Sequence, residues 1–350
     1  MHKRREKEKA ISVGIGTTGN CNLNCPHCYS EPLRASTLTL KDVTSLLDNK
    51  KISSINFGTG ENILNPDFPG IINYCHARGI KMSLTSNGYS VVALSDEDLL
   101  KFNDIDISLE FTDKKRQDDF RHGNSWDFAE QSLKKCRRLG IEFSIATAVM
   151  NVNYREIPSL LEKAGRAGCN LRLNIFKSVP KSANSVFALS YDEFWEAVRL
   201  MFAHGSLISC SEPIVNAILD IPPVVPRSPC GKSSIRVHPT GGVVPCVYWP
   251  ESDVYIRDLQ ESFAPAFRSR AFKESLIVPE FCTEKCDKAD VCGGGCASRR
   301  YLTSGIGKPD QYCPIYNRKP VPKIKVSASK TPKDLVHSSY LCTLIFAGNR

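Results

Sequence analysis

The chain lacks a long hydrophobic run. No apolar stretch in its 350 residues approaches the ~18 that a membrane-spanning helix needs. Met1–Lys9 is charged with no apolar core behind it, so a secretory signal peptide is excluded and a cytoplasmic location is the expectation. No internal repeat of solenoid length is visible. The body also lacks an excess of either charge. Of the formal net charge of +9, residues 1–9 supply five basic and two acidic side chains, and residues 317–350 seven basic and one acidic, which leaves 10–316 near neutral. A stripe for nucleic acid would sit on the body. The basic ends therefore read as solvated, or as weakly attractive to an acidic peptide, and neither nucleic acid nor membrane is an expected partner.

What the sequence has in plenty is cysteine, fifteen in all. In a reducing compartment such a number points to metal binding before disulfides. Three cysteines lie within residues 21–28 and seven between 230 and 313. Of the others, Cys75 and Cys136 fall at apolar positions of expected helices and read as small core hydrophobes; Cys169, Cys210 and Cys342 are the remainder.

Residues 11–176 alternate between strand and helix patterns. Expected strands are Ile11–Gly16, Ile52–Phe57, Ile80–Thr85, Ile105–Leu109, Glu142–Val149 and Leu171–Phe176. Between them Thr39 can cap a helix through Leu40, Val43, Leu46 and Leu47, and further helices are expected over 67–78, 95–102 and 154–167. Ser125 can cap another, closed by Gly140, and Ser190 with Glu193 forms a capping box before Phe194. Six strands with intervening helices make a parallel sheet with right-handed crossovers, an α/β fold of the partial (β/α)6 barrel type. The site then belongs at the C-terminal ends of the strands, where the first cysteine trio falls.

The character changes after about residue 205. Pro222, Pro223, Pro226 and Pro229 punctuate a loop-rich stretch, a short hairpin is expected around Thr240-Gly241-Gly242, and a Gly–Cys loop runs from Cys292 to Cys296. This small C-terminal domain needs iron–sulfur or other metal staples. The expected divisions are a barrel over 10–205, a loop-rich domain over 206–316 and a basic tail over 317–350, whose apolar end, Leu341–Ala347, is suited to packing back on the body.

Cys21-x3-Cys25-x2-Cys28 offers three thiolates in one loop. A four-iron cubane so held keeps one iron open to a substrate or cofactor. Zinc would want a fourth ligand, for which His27 is at hand. The stretch Gly16-Thr17-Thr18-Gly19-Asn20-Cys21-Asn22-Leu23-Asn24-Cys25-Pro26-His27-Cys28-Tyr29 resembles the signature loop of the radical S-adenosylmethionine (SAM) superfamily. That resemblance implies a cluster whose open iron binds the amino and carboxylate groups of the cofactor's methionine part. One electron then cleaves the sulfonium to methionine and a 5′-deoxyadenosyl radical, which takes a hydrogen atom from substrate. It also implies cofactor contacts. Gly58-Thr59-Gly60-Glu61 resembles the family's Gly-Gly-Glu motif, with Thr59 for the first Gly and Asn62 where Pro is usual; Gly60 and Glu61 carry over. Ser86-Asn87-Gly88 resembles a Thr-Asn-Gly turn, or is a plain turn. Ser108-Leu109-Glu110 resembles a Ser-Leu-Asp motif and Arg121-His122-Gly123 an Arg-Gly element, which makes Ser108 and Arg121 holders of the methionine carboxylate; the bland alternative for Arg121 is a surface arginine.

The seven later cysteines, Cys230-x15-Cys246, then Cys282-x3-Cys286-x5-Cys292-x3-Cys296 and Cys313, resemble the SPASM domain, with x3 after Cys282 where the family has x2. A zinc ribbon is the structural alternative. The resemblance implies two further [4Fe–4S] clusters, three in all. One falls to Cys230, Cys246 and Cys296, and the other to Cys282, Cys286, Cys292 and Cys313. The former then has only three cysteines, so an open iron is expected there unless Cys210 reaches it.

Enzymes of this kind mostly modify peptides. The expected function is hydrogen abstraction from a ribosomally made precursor peptide, giving a crosslink or other C–H functionalisation. Alternatives are sulfatase-type maturation, tetrapyrrole chemistry, or a non-catalytic iron–sulfur electron carrier or zinc scaffold; a carrier needs no cofactor pocket. The first strand begins at Ile11, which leaves no room for an N-terminal peptide-binding module. A separate small peptide-recognition protein, or direct leader docking on the barrel, is therefore expected, together with an electron donor such as flavodoxin or ferredoxin. No substrate-side acid or base is singled out, although Asp106 and Glu110 sit near strand ends.

Overall fold

The computed structural model describes residues 10–30, 33–179, 183–222, 230–336 and 341–348. The basic residues 1–9 and the prolines at 223, 226 and 229 lie outside the described residues. The barrel strands are β1 (Ile11–Ile15), β2 (Ile52–Phe57), β3 (Lys81–Ser86), β4 (Asp104–Ser108), β5 (Glu142–Val149) and β6 (Asn170–Ile175). They are parallel and adjacent in chain order. Helices α1 (Leu40–Leu47), α2 (Phe68–Ala77), α3 (Tyr89–Ala93), α4 (Asp96–Leu99), α5 (Lys114–Arg121), α6 (Ser125–Leu139) and α7 (Ile157–Ala167) fill the connections, and α8 (Tyr191–His204) follows β6.

Local chemistry sets these boundaries. Thr39 and Asp42 form a reciprocal capping box on α1, and Ser190 and Glu193 do the same on α8. Gly140 and Gly168 end α6 and α7 in the left-handed conformation. Ser125 is the first residue of α6 rather than its cap, and that place is taken by Asn124. The strands alternate. In β4, Ile105 and Ile107 are fully buried against the helices, while Asp106 and Ser108 face the barrel lumen; in β6, Leu171 and Leu173 face outward and Arg172 and Asn174 inward.

The sheet continues past the six strands. β7 (Ser206–Cys210) precedes α9 (Pro213–Ile218), and β8 (Ser234–Val237) and β9 (Val243–Val244) form the expected hairpin. β8 pairs in parallel with β1, so the start of the cysteine-rich segment extends the barrel sheet. The apolar end of the C-terminal segment becomes β10 (Leu344–Ala347), inserted antiparallel between β6 and β7. The full order is β7-β10-β6-β5-β4-β3-β2-β1-β8-β9. Among the described residues, the segment expected as a tail is tied to the body at several points. Ser327 and Ser329 exchange backbone hydrogen bonds with Leu207, and Val336 N–H donates to Asp104. Arg172 closes the lumen floor, 2.8 Å from Asp104 and 2.7 Å from Asp106, and donates to the Val336 carbonyl. Burial pushes both aspartates up, against the pull of Arg172 between them. Among the described residues no helix is long and apolar enough to cross a membrane.

β10 contributes to stability through Phe346, fully buried and edge-on to Phe202 at 5.3 Å. Phe346→Ala is expected to cost about 3–5 kcal/mol, read as a lower denaturation midpoint. Val321→Ala, at a half-exposed position of the same C-terminal segment, is expected to stay within about 0.5 kcal/mol.

Candidate active site

The loop after β1 and the turn after β2 interlock. Glu61 N–H donates to the Asn20 carbonyl at 2.8 Å, and Gly19 N–H to the Ser36 carbonyl at 2.8 Å. Gly60 has φ +59°, and a Cβ there would stand 2.5 Å from the carbonyl oxygens of both Thr18 and Asn20. Only glycine fits that approach. The two departures from the family motif have structural partners. Asn62 accepts the Thr17 hydroxyl at 2.7 Å. Thr59 takes the left-handed conformation at φ +82°, an uncommon one for a β-branched residue, and its hydroxyl bonds to Tyr29 at 3.0 Å and to Arg236 of β8.

Cys21, Cys25 and Cys28 line one wall of a cavity of about 1240 Å³, counting its open mouth. Gly60, Asn87, Ser108 and Arg121 line it too, so four of the five expected cofactor contacts share one space with the trio. Asn87 joins β3 to the cysteine loop, its amide 2.8 Å from Asn22 and 3.6 Å from the Cys21 sulfur. Glu61 stands apart. Fully buried, its carboxylate accepts from the Ser86 hydroxyl at 2.5 Å, Asn87 N–H at 2.9 Å and Ser90 N–H at 2.8 Å. It shapes the turn that carries Asn87 and does not line the cavity.

Arg121, in the last turn of α5, is buried rather than on the surface, with Nη1 3.1 Å from Glu110. Its carbonyl accepts from the Cys25 thiol at 3.5 Å. Burial alone would raise the Glu110 carboxyl, but Arg121 and then His27 more than offset it and hold it below the usual range. Burial raises the Cys21 thiol to about 11 and raises Cys25 as well, in spite of Arg121. His27 is engaged by other groups, with Nε2 3.6 Å from Glu110 and its ring stacked on Phe120. Arg121 Nε and His27 Nδ1 are buried without a hydrogen-bond partner. Buried orphans on a cavity wall suit a bound polar group, and a cationic one beside three sulfurs suits a carboxylate such as that of SAM's methionine part.

Another part of the wall comes from later in the chain. Val247 and Tyr248, just after Cys246, and Leu341 and Thr343, on either side of Cys342, face the same cavity, with Asp106, Arg172 and Asn174 below. Sequence reasoning singled out only Asp106 of this group. The alternation of polar residues in Asp104–Ser108 and Asn170–Asn174 was a readable signal of a polar lumen. The long-range wall had none.

The later cysteines fall into two groups. Cys282, Cys286, Cys292 and Cys313 line one small cavity with Gly294. A Cβ at Gly294 (φ +85°) would stand 2.4 Å from Pro279, and one at Gly295 (φ +96°) 2.3 Å from Asp310. Tyr316 N–H donates to the Cys313 sulfur at 3.4 Å. Cys230, Cys246 and Cys296 form a second group, and the Ser298 hydroxyl lies 3.4 Å from Cys246 and 3.3 Å from Cys296. Burial would raise Cys296, but hydrogen bonding from Cys342 and the cations Lys177 and Arg299 bring it down to about 6. Arg299 ties this region to α9 and to the last cysteine loop, 2.7 Å from Glu212 and 2.6 Å from Asp310. None of the fifteen cysteines is in a disulfide. Among the described residues no three His, Cys, Asp or Glu side chains are grouped as a single metal ion requires. A cubane cluster makes a different demand, since each thiolate binds a different iron.

Residues 15–164 match the radical SAM superfamily. Among curated relatives, the mycofactocin maturase MftC of Mycobacterium tuberculosis is 22% identical over 321 residues, 84% of this chain and 80% of that protein. The antilisterial bacteriocin subtilosin biosynthesis protein AlbA of Bacillus subtilis is 23% identical over 83% of this chain and 68% of its own length. Among solved structures, anSMEcpe with bound AdoMet superposes with a TM-score of 0.68 at 17% identity, over 88% of this chain and 92% of that one. Streptococcus suis SuiB bound to precursor peptide SuiA gives 0.64 at 14% identity, over 86% and 74%. At these identities the structures show the shared fold.

The Glu61 carboxylate generates a test. In Glu61→Gln one of its three donors meets an NH2 group, so stability is expected to fall by about 1.5–3 kcal/mol. Calorimetric SAM affinity is expected to weaken as the Asn87 turn shifts. Unchanged stability would contradict this role.

Proposed function

We propose that this radical SAM enzyme, a member of the superfamily through residues 15–164, modifies a ribosomally made peptide by taking a hydrogen atom from it. The observation that carries the reading is the single cavity in which Cys21, Cys25, Cys28, Asn87, Ser108 and Arg121 meet, lined also by the neighbours of Cys246 and Cys342. A carrier or scaffold needs no such space. The maturase MftC and the biosynthesis protein AlbA each align over more than four-fifths of this chain, which supports a peptide substrate.

A [4Fe–4S] cluster on Cys21, Cys25 and Cys28 would supply one electron to SAM bound at its open iron, yielding methionine and a 5′-deoxyadenosyl radical. The chain's own residues orient and shield. Arg121 and Ser108 hold the methionine carboxylate, with Glu110 keeping Arg121 in place. Gly60 lets the cysteine loop close against the turn after β2, and Glu61 acts through the Asn87 turn as a positioning residue. Phe176, Tyr248 and Leu341 give the cavity lining its apolar part.

The same reading assigns a [4Fe–4S] cluster to Cys282, Cys286, Cys292 and Cys313 and another to the group of Cys230, Cys246 and Cys296. It keeps a SAM barrel over 10–205, a SPASM-type segment over 206–316 and a closing segment over 317–350. Cytoplasmic action with a flavodoxin- or ferredoxin-type donor belongs to it, as does a separate small peptide-recognition protein.

Anaerobic protein with dithionite and SAM is expected to release 5′-deoxyadenosine, and Cys25→Ala to abolish the release. A precursor peptide is expected to change mass in the same mixture. Binding of about twelve irons without any 5′-deoxyadenosine would leave only a scaffold. If the enzyme alone processes a full-length precursor at full rate, the separate recognition protein falls.

A further inference from the structure

The group of Cys230, Cys246 and Cys296 has a fourth member that lies outside the seven-cysteine pattern. The thiol of Cys342 hydrogen-bonds to Cys230 and to Cys296, and Cys230 bonds to Cys246. Ser298 joins Cys246 to Cys296 and closes the ring. All four cysteines are at most 1% exposed. Cys230 and Cys246 pack with Val247 and Tyr248, and Leu341 covers them from the C-terminal segment.

The position of Cys342 is set by the sheet. Thr343 N–H donates to the Ser211 hydroxyl at 3.0 Å, and Ser211 N–H donates to the Thr343 carbonyl at 2.8 Å. The Thr343 hydroxyl reaches Asn174 of β6 at 2.8 Å. Leu344 then pairs with Leu173 on one side and Cys210 on the other. A residue locked between two strands at its next position has little freedom to leave the ring. Cys210, the nearest rival, sits in β7 opposite Leu344, and its thiol donates to the Glu212 carbonyl. Buried Lys177 lies beside Cys296 and Cys342, which offsets the negative charge four thiolates bring.

Building on the reading that these cysteines hold a cluster, we propose that Cys342 supplies the fourth thiolate to the cluster held by Cys230, Cys246 and Cys296. The open iron expected from three cysteines is then absent there. A substrate thiolate or carboxylate has no iron to bind at this site, and the cluster lies behind the cavity wall formed by Val247, Leu341 and Thr343.

The test uses the full chain with Cys21, Cys25 and Cys28 replaced by Ala, reconstituted anaerobically, where the two later clusters give about eight irons. Cyanide is the probe for an open iron. The reduced electron paramagnetic resonance spectrum of this parent is expected to be indifferent to cyanide. In Cys342→Ala, cyanide is expected to shift one cluster's spectrum, and mild oxidation to release about one iron per protein with a [3Fe–4S] signal. Cys342→Ser, which keeps the side-chain volume, is read the same way, and equal unfolding midpoints of the metal-free proteins verify the fold. Cys210→Ala is expected to match the parent. A parent that already responds to cyanide, or a Cys342→Ala spectrum and iron count unchanged, overturns the proposal. A parent that binds no iron overturns instead the reading that these cysteines hold clusters.

Discussion

The site depends on how closely the loop after β1 approaches the turn after β2. Gly60 sits within van der Waals reach of two backbone carbonyls of the cysteine loop, where no side chain fits. That contact fixes Cys21–Cys28 against the strand ends, and Glu61 passes the constraint on, since its N–H holds Asn20 while its carboxylate holds the turn after β3. Three successive strand ends are thereby registered to one another before any cofactor is present. Preorganisation of this kind matters for a reaction whose radical must meet one C–H bond and no other.

A second constraint is charge held without water. Arg121 with Glu110, Arg172 with Asp104 and Asp106, and Arg299 with Glu212 and Asp310 are all buried ion groups. Such groups contribute little net stability because desolvation offsets their attraction, yet losing one partner is costly. Their placement is therefore informative. The first orients a cationic wall beside the cysteine trio, the second closes the lumen floor and pins Val336, and the third joins the later cysteine loops to the sheet through α9. The second and third tie distant segments together, so the C-terminal third of the chain and the barrel share one architecture.

Much of this was legible in the sequence. The six barrel strands, the cap at Thr39, the capping box at Ser190, the hairpin at Thr240–Gly242 and the grouping of the first trio with Asn87, Ser108 and Arg121 follow from periodicity, caps and motif order. α5 was missed because Lys114–Arg121 is almost wholly polar or charged. Its helix rests on an Asp113 cap and on buried Gln117, which accepts the N–H groups of Glu110 and Phe111. α3 is five residues long, too short to show a period. Leu341–Ala347 was visibly apolar, but its pairing with segments more than 130 residues earlier carries no local signal. Cys342 was unreadable for the same reason, since only the sheet brings it to the other thiols.

The central claim is that the cavity beside Cys21, Cys25 and Cys28 binds SAM at an open iron. It is tested most directly by the electron paramagnetic resonance spectrum of the reduced full-length protein before and after SAM is added. SAM is expected to change the spectrum of one cluster, and this change is expected to disappear in Cys25→Ala and to weaken in Arg121→Ala. A spectrum indifferent to SAM, with the first cluster present at full occupancy, would contradict it.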